Sequence, residues 1–518
     1  MATKVKCFNC NAHFKPVEIL TKEDILRFDS LLRDNHPLTS IEKLTVSKLK
    51  KSIFHYDELI MSLQNKREEL KRHASRYASF SSPVRRLPAE ILLQIFRNAC
   101  HDTDMIVSRY TKQKLVALNL GQVCSYWRNI VLSNEELWAM LGKLTIDEDF
   151  GALPLPLLEL YLSRSGSKLL TFSLSQHQFD EDDEINPATA RLVQCSGRWG
   201  DVDIEAVYSE VAIDPHTVAF TALERLVLDT ASTYSLDWSV FSNAPRLRTL
   251  ILHGMSVHPG LPVPEPTDFP WSQLQQLELH EPPDFLWQEI LPLCTQLVRF
   301  HLSLHLQDGS AIGDDVLTPI VLPNLSMSLT FTALWPTKFF NSFTFPFLTS
   351  LDLSLGGTRA KSTLLRAVHS FISSHCTISR FSLTDKIEIF SSTTLIELLQ
   401  LLPALTHLTL HGLPVSKTFL EQLNPFLCSS SKILLPNLLD LGLTTRSSLS
   451  SFDYETFVNL LRARWKPSGN ENFPRICCAR LRTYCKREVF DRSLLPQIEA
   501  LNMFGMTISI TDNEGLVF

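Results

Sequence analysis

The sequence predicts a mixed α/β protein built in three parts: a long helical N-terminal region with coiled-coil character, a small helical domain, and an irregular solenoid of repeated strand–helix units. Three observations carry this expectation. Apolar residues between 42 and 80 recur at spacings of three and four, the period of one helix face. A proline followed by an apolar stripe opens a second helical unit at Leu87. From about residue 140 onward the pattern L-x-x-L-x-L returns again and again. The expected boundaries are 1–17 for a Cys-x-x-Cys segment, 18–82 for the helical region, 83–140 for the small helical domain and 141–518 for the repeats.

Composition narrows the class. The 518 residues allow two to four domains. Hydrophobic residues at 44% support a large core, and charged residues at 20% are too sparse for a disordered chain. No charge-free apolar run of about 18 residues occurs, so no membrane span is expected. Met1 to Lys6 lacks the apolar core of a secretory signal. The odd count of 11 cysteines fits reduced thiols, and the expected location is cytoplasmic or nuclear. Residues 1–86 hold 17 Lys and Arg against 10 Asp and Glu, a balance of +7, and the remainder carries −13. The basic residues are interleaved with Asp57, Glu58, Glu68 and Glu69, so a solvated helix face is expected rather than a nucleic-acid site.

The N-terminal segment holds Cys7, Cys10 and His13, with His36 as the nearest further candidate ligand. A closed structural zinc site needs four ligands, so a metal-free terminus is expected and no cofactor is implied. Next, Ile19, Ile25, Phe28, Leu31 and Leu32 predict a first helix over 18–34, with a turn at His36-Pro37. The long helix over 42–80 follows. Val46, Leu49, Ile53, Tyr56, Ile60, Leu63, Leu70, Ala74 and Tyr77 make its apolar series, broken at Arg67. An antiparallel hairpin within the chain, coiled-coil self-association, and a single helix laid on the body all remain open.

The helical unit from Leu87 to Trp127 carries the functional signal. Pro88 suits the start of a helix, and Glu90 complements the positive end of its dipole. Ile91, Leu92, Ile95 and Phe96 then form one stripe. A second helix carries Leu115, Leu118, Leu120 and Val123, and Trp127, Ile130 and Val131 extend it or form a third. The unit is too small to bury all of this surface, which suggests a partner. Leu87-Pro88-x-Glu90-Ile91-Leu92, Ile95-Phe96, Val123-Cys124-x-x-Trp127 and the later Glu136-Leu137-Trp138 together resemble an F-box. The polar segment from His101 to Lys114 makes the gap between Phe96 and Val123 longer than a compact F-box has. The resemblance implies binding of a Skp-type adaptor, and through it a cullin, by Leu87, Pro88, Glu90, Ile91, Leu92, Ile95, Phe96, Val123, Cys124 and Trp127.

The repeats begin after an atypical stretch. Leu157 to Leu162 predicts a helix and Leu169 to Leu174 a strand. Asp180 to Glu184 reads as an exposed acidic loop, and Arg198-Trp199 precedes Val202-Asp203-Ile204. Eight clear units follow, starting at Leu223, Leu247, Leu274, Leu297, Leu348, Ile378, Leu405 and Leu438. Degenerate units are expected near Leu325, near Leu481 and at Ile498-Leu501-Met503. The second and third apolar residues of each unit alternate along a strand and point inward, while the residues between and beside them face out. Short helices are expected at Ser362–Val368, Leu395–Leu399 and Phe457–Leu461. Period and pattern resemble leucine-rich repeats, which implies an irregular leucine-rich-repeat solenoid. The asparagine ladder is missing: Met255, Leu413 and Arg446 stand where Asn or Cys is usual. The whole order resembles the large F-box families of mushroom-forming fungi.

No phosphate loop, dinucleotide fingerprint, H-E-x-x-H or G-x-S-x-G occurs. Cys477-Cys478 with Arg480 is the most suggestive nucleophile pair, though ordinary thiols are expected there. The expected function is therefore the substrate-recognition subunit of an SCF-type cullin–RING ubiquitin ligase, not an enzyme, with the repeats binding an unidentified target protein. The alternative is a non-ligase scaffold using the coil and repeats, and a third possibility is an unrecognised hydrolase or transferase. Target choice would rest on polar positions such as Glu224, Arg225, Arg248, Gln275, Gln276, Arg299, Asp352 and His407, with histidines 253, 280, 301 and 411 nearby.

Overall fold

A computed structural model describes residues 5–6, 13–14, 21–33, 37–101, 103, 115–147, 155–177, 187–205, 218–229, 238–253, 269–282, 289–304, 318–319, 325–331, 339–340, 343–356, 361–427, 433–445, 452–465, 475–483, 491–512 and 515–516. Two compact units form, Met1–Leu92 and Leu93–Phe518.

In the first unit, strands β1 (Val5–Lys6) and β2 (His13–Phe14) pair antiparallel, with Lys6 opposite His13. Cys7, Cys10, His36 and the His13 side chain lie outside the described residues. Helix Lys22–Arg33 is capped reciprocally by Thr21 and Asp24. The long helix runs Ser40–Phe80, 41 residues and thus about 60 Å. It starts two residues earlier than its apolar series implies, because Thr39 and Glu42 form a capping box. The Thr39 Oγ1 accepts from the Glu42 N–H at 3.4 Å, and the Glu42 carboxylate accepts from the Thr39 N–H at 2.8 Å. Arg27 reaches the same Glu42 at 3.7 Å. Yet Ile25 and Leu32 on the short helix are exposed, and so are Ile53, Ile60, Leu63 and Leu70 on the long one. Phe28 and Leu31 of the short helix and Val46 and Leu49 of the long one are half-buried, so cover between the helices is confined to the start of the long one.

The second unit is organised by strands. In chain order these are β3 (Met140–Asp147), β4 (Leu170–His177), β5 (Trp199–Glu205), β6 (Arg225–Asp229), β7 (Thr249–His253), β8 (Gln276–His280), β9 (Arg299–Leu304), β10 (Thr318–Pro319), β11 (Ser326–Phe331), β12 (Phe343–Thr344), β13 (Ser350–Leu355), β14 (Arg380–Asp385), β15 (His407–His411), β16 (Asp440–Thr444), β17 (Cys478–Arg482), β18 (Thr507–Asp512) and β19 (Gly515–Leu516). β10 and β12 pair apart from the rest. The other 15 form one sheet in strict sequence order. Every pairing in it is parallel except β18 with β19.

Each of the eight clear repeat units is a strand whose inward residues stack in register. Leu226 pairs Leu250, which pairs Leu277, then Phe300, Met327, Leu351, Phe381, Leu408 and Leu441. A second ladder, Leu228 to Leu443, runs two residues further along every strand. All of these side chains are buried, and so are the leading residues of the units. Full burial of one such side chain contributes about 1.5–3 kcal/mol, so the stack is the core. Near Leu325 the unit is one residue shorter, with Leu325, Met327 and Leu329 buried. At Ile498-Leu501-Met503 the expectation fails: these residues lie in helix Leu495–Met503, whose first turn carries Pro496. The strand follows as β18, with Met506, Ile508 and Ile510 inside. Val227 and Ile251, expected to face out, are also buried.

The return path changes along the array. Between β6 and β9 the described returns hold 3-10 turns at Trp238–Phe241, Trp271–Gln273 and Leu291–Leu293. After β13 they hold helices Lys361–Ser373, Ser392–Gln400, Lys417–Leu423 and Tyr454–Trp465, covering all three expected helices. Aromatic contacts link successive early repeats, from Phe172 to Trp199 (5.2 Å between ring centres), Phe220 (5.2 Å) and Phe241 (5.0 Å). Later, Arg464 plays a similar part with hydrogen bonds. Its buried guanidinium donates to the carbonyls of Leu423 (2.9 Å), Leu434 (2.8 Å) and Pro436 (3.4 Å), and burial lowers its pKa to about 10, so it stays charged at neutral pH.

Candidate functional site

Helix Ala89–Cys100 begins just after Pro88, whose carbonyl accepts from the Leu92 N–H at 3.1 Å. Its apolar stripe divides into two lines. Leu92 and Phe96 are 1% and 0% exposed, whereas Ile91 and Ile95 are 42% and 45% exposed. Leu87 is half-buried, and Pro88 and Glu90 are exposed. Leu92 and Phe96 are therefore core residues, and they leave the set able to touch a partner. The correction has a simple cause: a stripe four residues wide spans more of the helix than one neighbour can cover.

Beyond it, helices Val116–Val123 and Ser125–Ser133 are separate. The break is Cys124, held extended at φ −162°, whose Sγ accepts from the Trp127 N–H at 3.5 Å and caps the following helix. Arg128 ties the pair by donating to the Gly121 carbonyl at 2.8 Å. Trp127 is half-buried against Phe96, with ring centres 4.8 Å apart. Cys124 and Trp127 thus hold the local helix geometry, while Val123 is 59% exposed. Tyr126 and Leu132 are exposed beside it; sequence reasoning missed both, although Tyr126 occupies an open position inside Val-Cys-x-x-Trp. The His101–Lys114 segment lies outside the described residues apart from His101 and buried Thr103.

Leu137 and Trp138 anchor this unit. Both are buried, and the Trp138 indole donates to the Val131 carbonyl at 2.9 Å. Its ring meets Tyr161 edge-on at 5.0 Å, and the Arg164 guanidinium lies 4.4 Å over it. Glu136 pairs with Arg97 of the first helix. Gly142, at φ +70°, lets β3 pass so close to Thr103 that the Thr103 carbonyl accepts from the Lys143 N–H at 3.0 Å.

The second candidate surface is the polar side of the sheet. None of the eight positions expected to set target choice is buried. Arg225 pairs with Asp201 at 2.7 Å and Arg480 with Asp440 at 2.9 Å. His253, His280 and His301 stack on successive strands, with ring centres 4.4 and 5.0 Å apart. Burial lowers the pKa of His280 and His301, and the neighbouring His253 and His301 rings add to this at His280. Further along, His407 meets Thr406 and His411 meets Thr444.

Nucleophile chemistry finds little support. Burial raises the Cys100 thiol to about 11 and the Cys294 thiol to about 12. Burial and Asp440 raise Cys478, and Arg480 is engaged by the same Asp440. Among the described residues no group of three or more His, Cys, Asp or Glu is arranged to hold a metal ion. No described helix is long and apolar enough to cross a membrane. The acidic stretch Asp180–Glu184 lies outside the described residues.

Comparison with curated proteins gives no match. A family model described as F-box-like matches residues 84–142, a span that includes the long Phe96–Val123 gap and ends at the Gly142 crossing. Residues 84–142 are an F-box-like domain, and over that span the chain is similar to F-box proteins.

Proposed function

We propose that this chain is the substrate-recognition subunit of an SCF-type cullin–RING ubiquitin ligase. F-box-like domains generally serve ubiquitin-ligase adaptor roles and bind Skp-type adaptors, and F-box proteins are generally adaptors rather than enzymes. The observation that carries the reading is the apolar surface left open inside the matched domain: Ile91, Ile95, Val123 and Tyr126 are exposed, while their neighbours Leu92 and Phe96 are buried. Leu87, Pro88 and Glu90 belong to the same proposed docking set, and Cys124 and Trp127 hold its shape. We read the body as degenerate leucine-rich repeats like those following the F-box in the large families of mushroom-forming fungi. The registered leucine ladders support that reading. On it, the polar side of the sheet binds the target and raises its effective concentration near the ligase. The location we propose is cytoplasmic or nuclear.

Pull-down of a purified Skp-type adaptor by the full chain and by a Leu87→Ala/Pro88→Ala variant tests this. Recovery by the wild type and loss in the variant supports it; equal recovery, or none, overturns it. The scaffold alternative separates at the next step, because a scaffold's captured partners are not ubiquitinated in a reconstituted ligase.

A further inference from the structure

We infer that helix Ser40–Phe80 pairs with the same helix of a second copy, as an antiparallel two-stranded coiled coil. The inference stands apart from the ligase reading and needs no adaptor. The helix is unbroken over 41 residues and capped at its start by Thr39 and Glu42, so it is built to be rigid. An apolar series with alternating spacings of three and four runs from Val46 to Tyr77, broken at Arg67, and spans more than four heptads. Such a seam supercoils with a like seam rather than packing on a flat body. Among the described residues of its own unit the seam is partly covered only at its start, where Val46 and Leu49 are half-buried; Ile53, Tyr56, Ile60, Leu63, Leu70 and Tyr77 are exposed.

The area is sufficient. The exposed portions of Ile53, Tyr56, Ile60, Leu63, Leu70 and Tyr77 amount to roughly 700 Å² per chain, so two copies bring together roughly 1,400 Å², within the range of stable specific interfaces. The seam is also self-complementary. An antiparallel pair centred between residues 60 and 63 sets Ile60 against Leu63 of the second copy, Ile53 against Leu70 and Leu49 against the small Ala74. Arg67 then lies across from Tyr56, where a guanidinium can sit over an aromatic face. A parallel pair instead sets Arg67 against its own copy, two like charges in one layer. Arg67, the one interruption of the seam, therefore specifies the direction of pairing. Lys50 and Lys71 come side by side across the antiparallel pair, and Glu68 holds Lys71 within its own helix at 2.7 Å.

The test uses the full chain. Light scattering is expected to give twice the chain mass for the wild type and for Asn65→Asp, on the outer face, and the single mass for Ile53→Asp/Ile60→Asp. A monomeric wild type at 10 μM, or a double variant that stays dimeric, overturns the inference. Direction is read by a short amine cross-linker on a mixture of light and isotope-labelled chains. Lys50 and Lys71 are about 32 Å apart along one helix, out of reach within a copy. Mixed-isotope Lys50–Lys71 links support the antiparallel pair; mixed-isotope Lys66–Lys71 links without them overturn it.

Discussion

Ile95 and Phe96 are adjacent in one helix, yet one is exposed and the other buried, so on the proposed function truncating each to alanine separates docking from folding. Ile95 is 45% exposed, which leaves roughly 80 Å² of apolar side chain for a partner to cover, equivalent to about 2 kcal/mol at 25 cal/mol/Å². Alanine retains the β-carbon, so the loss in Ile95→Ala is about 1–1.5 kcal/mol, a weakening of about five- to tenfold in Kd for a Skp-type adaptor. Its effect on unfolding should be under about 0.5 kcal/mol, as for ordinary surface positions. Phe96 is fully buried against Trp127, so Phe96→Ala opens a cavity costing about 3–5 kcal/mol. Titration calorimetry measures the first quantity, and urea unfolding followed by tryptophan fluorescence the second. The assignment of the two faces fails if Ile95→Ala leaves Kd within twofold of wild type, or if Phe96→Ala unfolds at the wild-type midpoint.

Three further outcomes are expected. Arg464→Leu strands the buried carbonyls of Leu423 and Leu434 and the half-buried one of Pro436, and should destabilise the repeats by about 3–5 kcal/mol in chemical denaturation; a loss below about 1 kcal/mol would refute the staple. His375 is buried, its Nδ1 donates to the Phe371 carbonyl at 2.5 Å and its Nε2 accepts from the Phe345 N–H at 2.8 Å, so it must be neutral when folded. Burial lowers its pKa below the ordinary 6.5, so the unfolded chain binds the proton first. The stability His375 contributes is thus present above 6.5 and lost as pH falls from there toward the folded value. Urea midpoints at pH 7.5, 6 and 5 should drop less in His375→Gln than in the wild type, and parallel slopes would count against the argument. Gly142→Ala puts a β-carbon 1.8 Å from the Thr103 carbonyl oxygen at a positive φ, so strain and the lost Lys143 bond should cost at least about 2–3 kcal/mol; an unchanged melting temperature would contradict the close crossing.

The parts legible in the sequence were those with a period. Leu226, Leu250 and Leu277 declared their strands because a strand with one buried face must alternate. The long helix was equally plain from its heptads. The unit near Leu325 was legible only as a degenerate one: a missing residue breaks the six-residue template there, although the register with Phe300 and Leu302 is intact. Ile498-Leu501-Met503 misled because leucine-rich spacing of three suits a helix as well as a repeat. In the F-box-like domain, residue types were readable but burial was not. Leu92 and Ile91 are both apolar and adjacent, and only their neighbours decide which one faces inward. Cys124 was recognisable as a motif residue, but its work as a helix cap depends on a backbone angle.

The strict sequence order of the 15-stranded sheet has a consequence for biosynthesis. Each strand of this sheet from β4 through β18 pairs with the sheet strand that precedes it in the chain, so its docking surface has already left the ribosome when it emerges. No strand in this sheet must wait for a distant segment, which keeps loop closure short. The array can grow one rung at a time in the direction of translation. A nascent chain of this kind exposes one growing edge, and β19, arriving last and antiparallel, ends the growth.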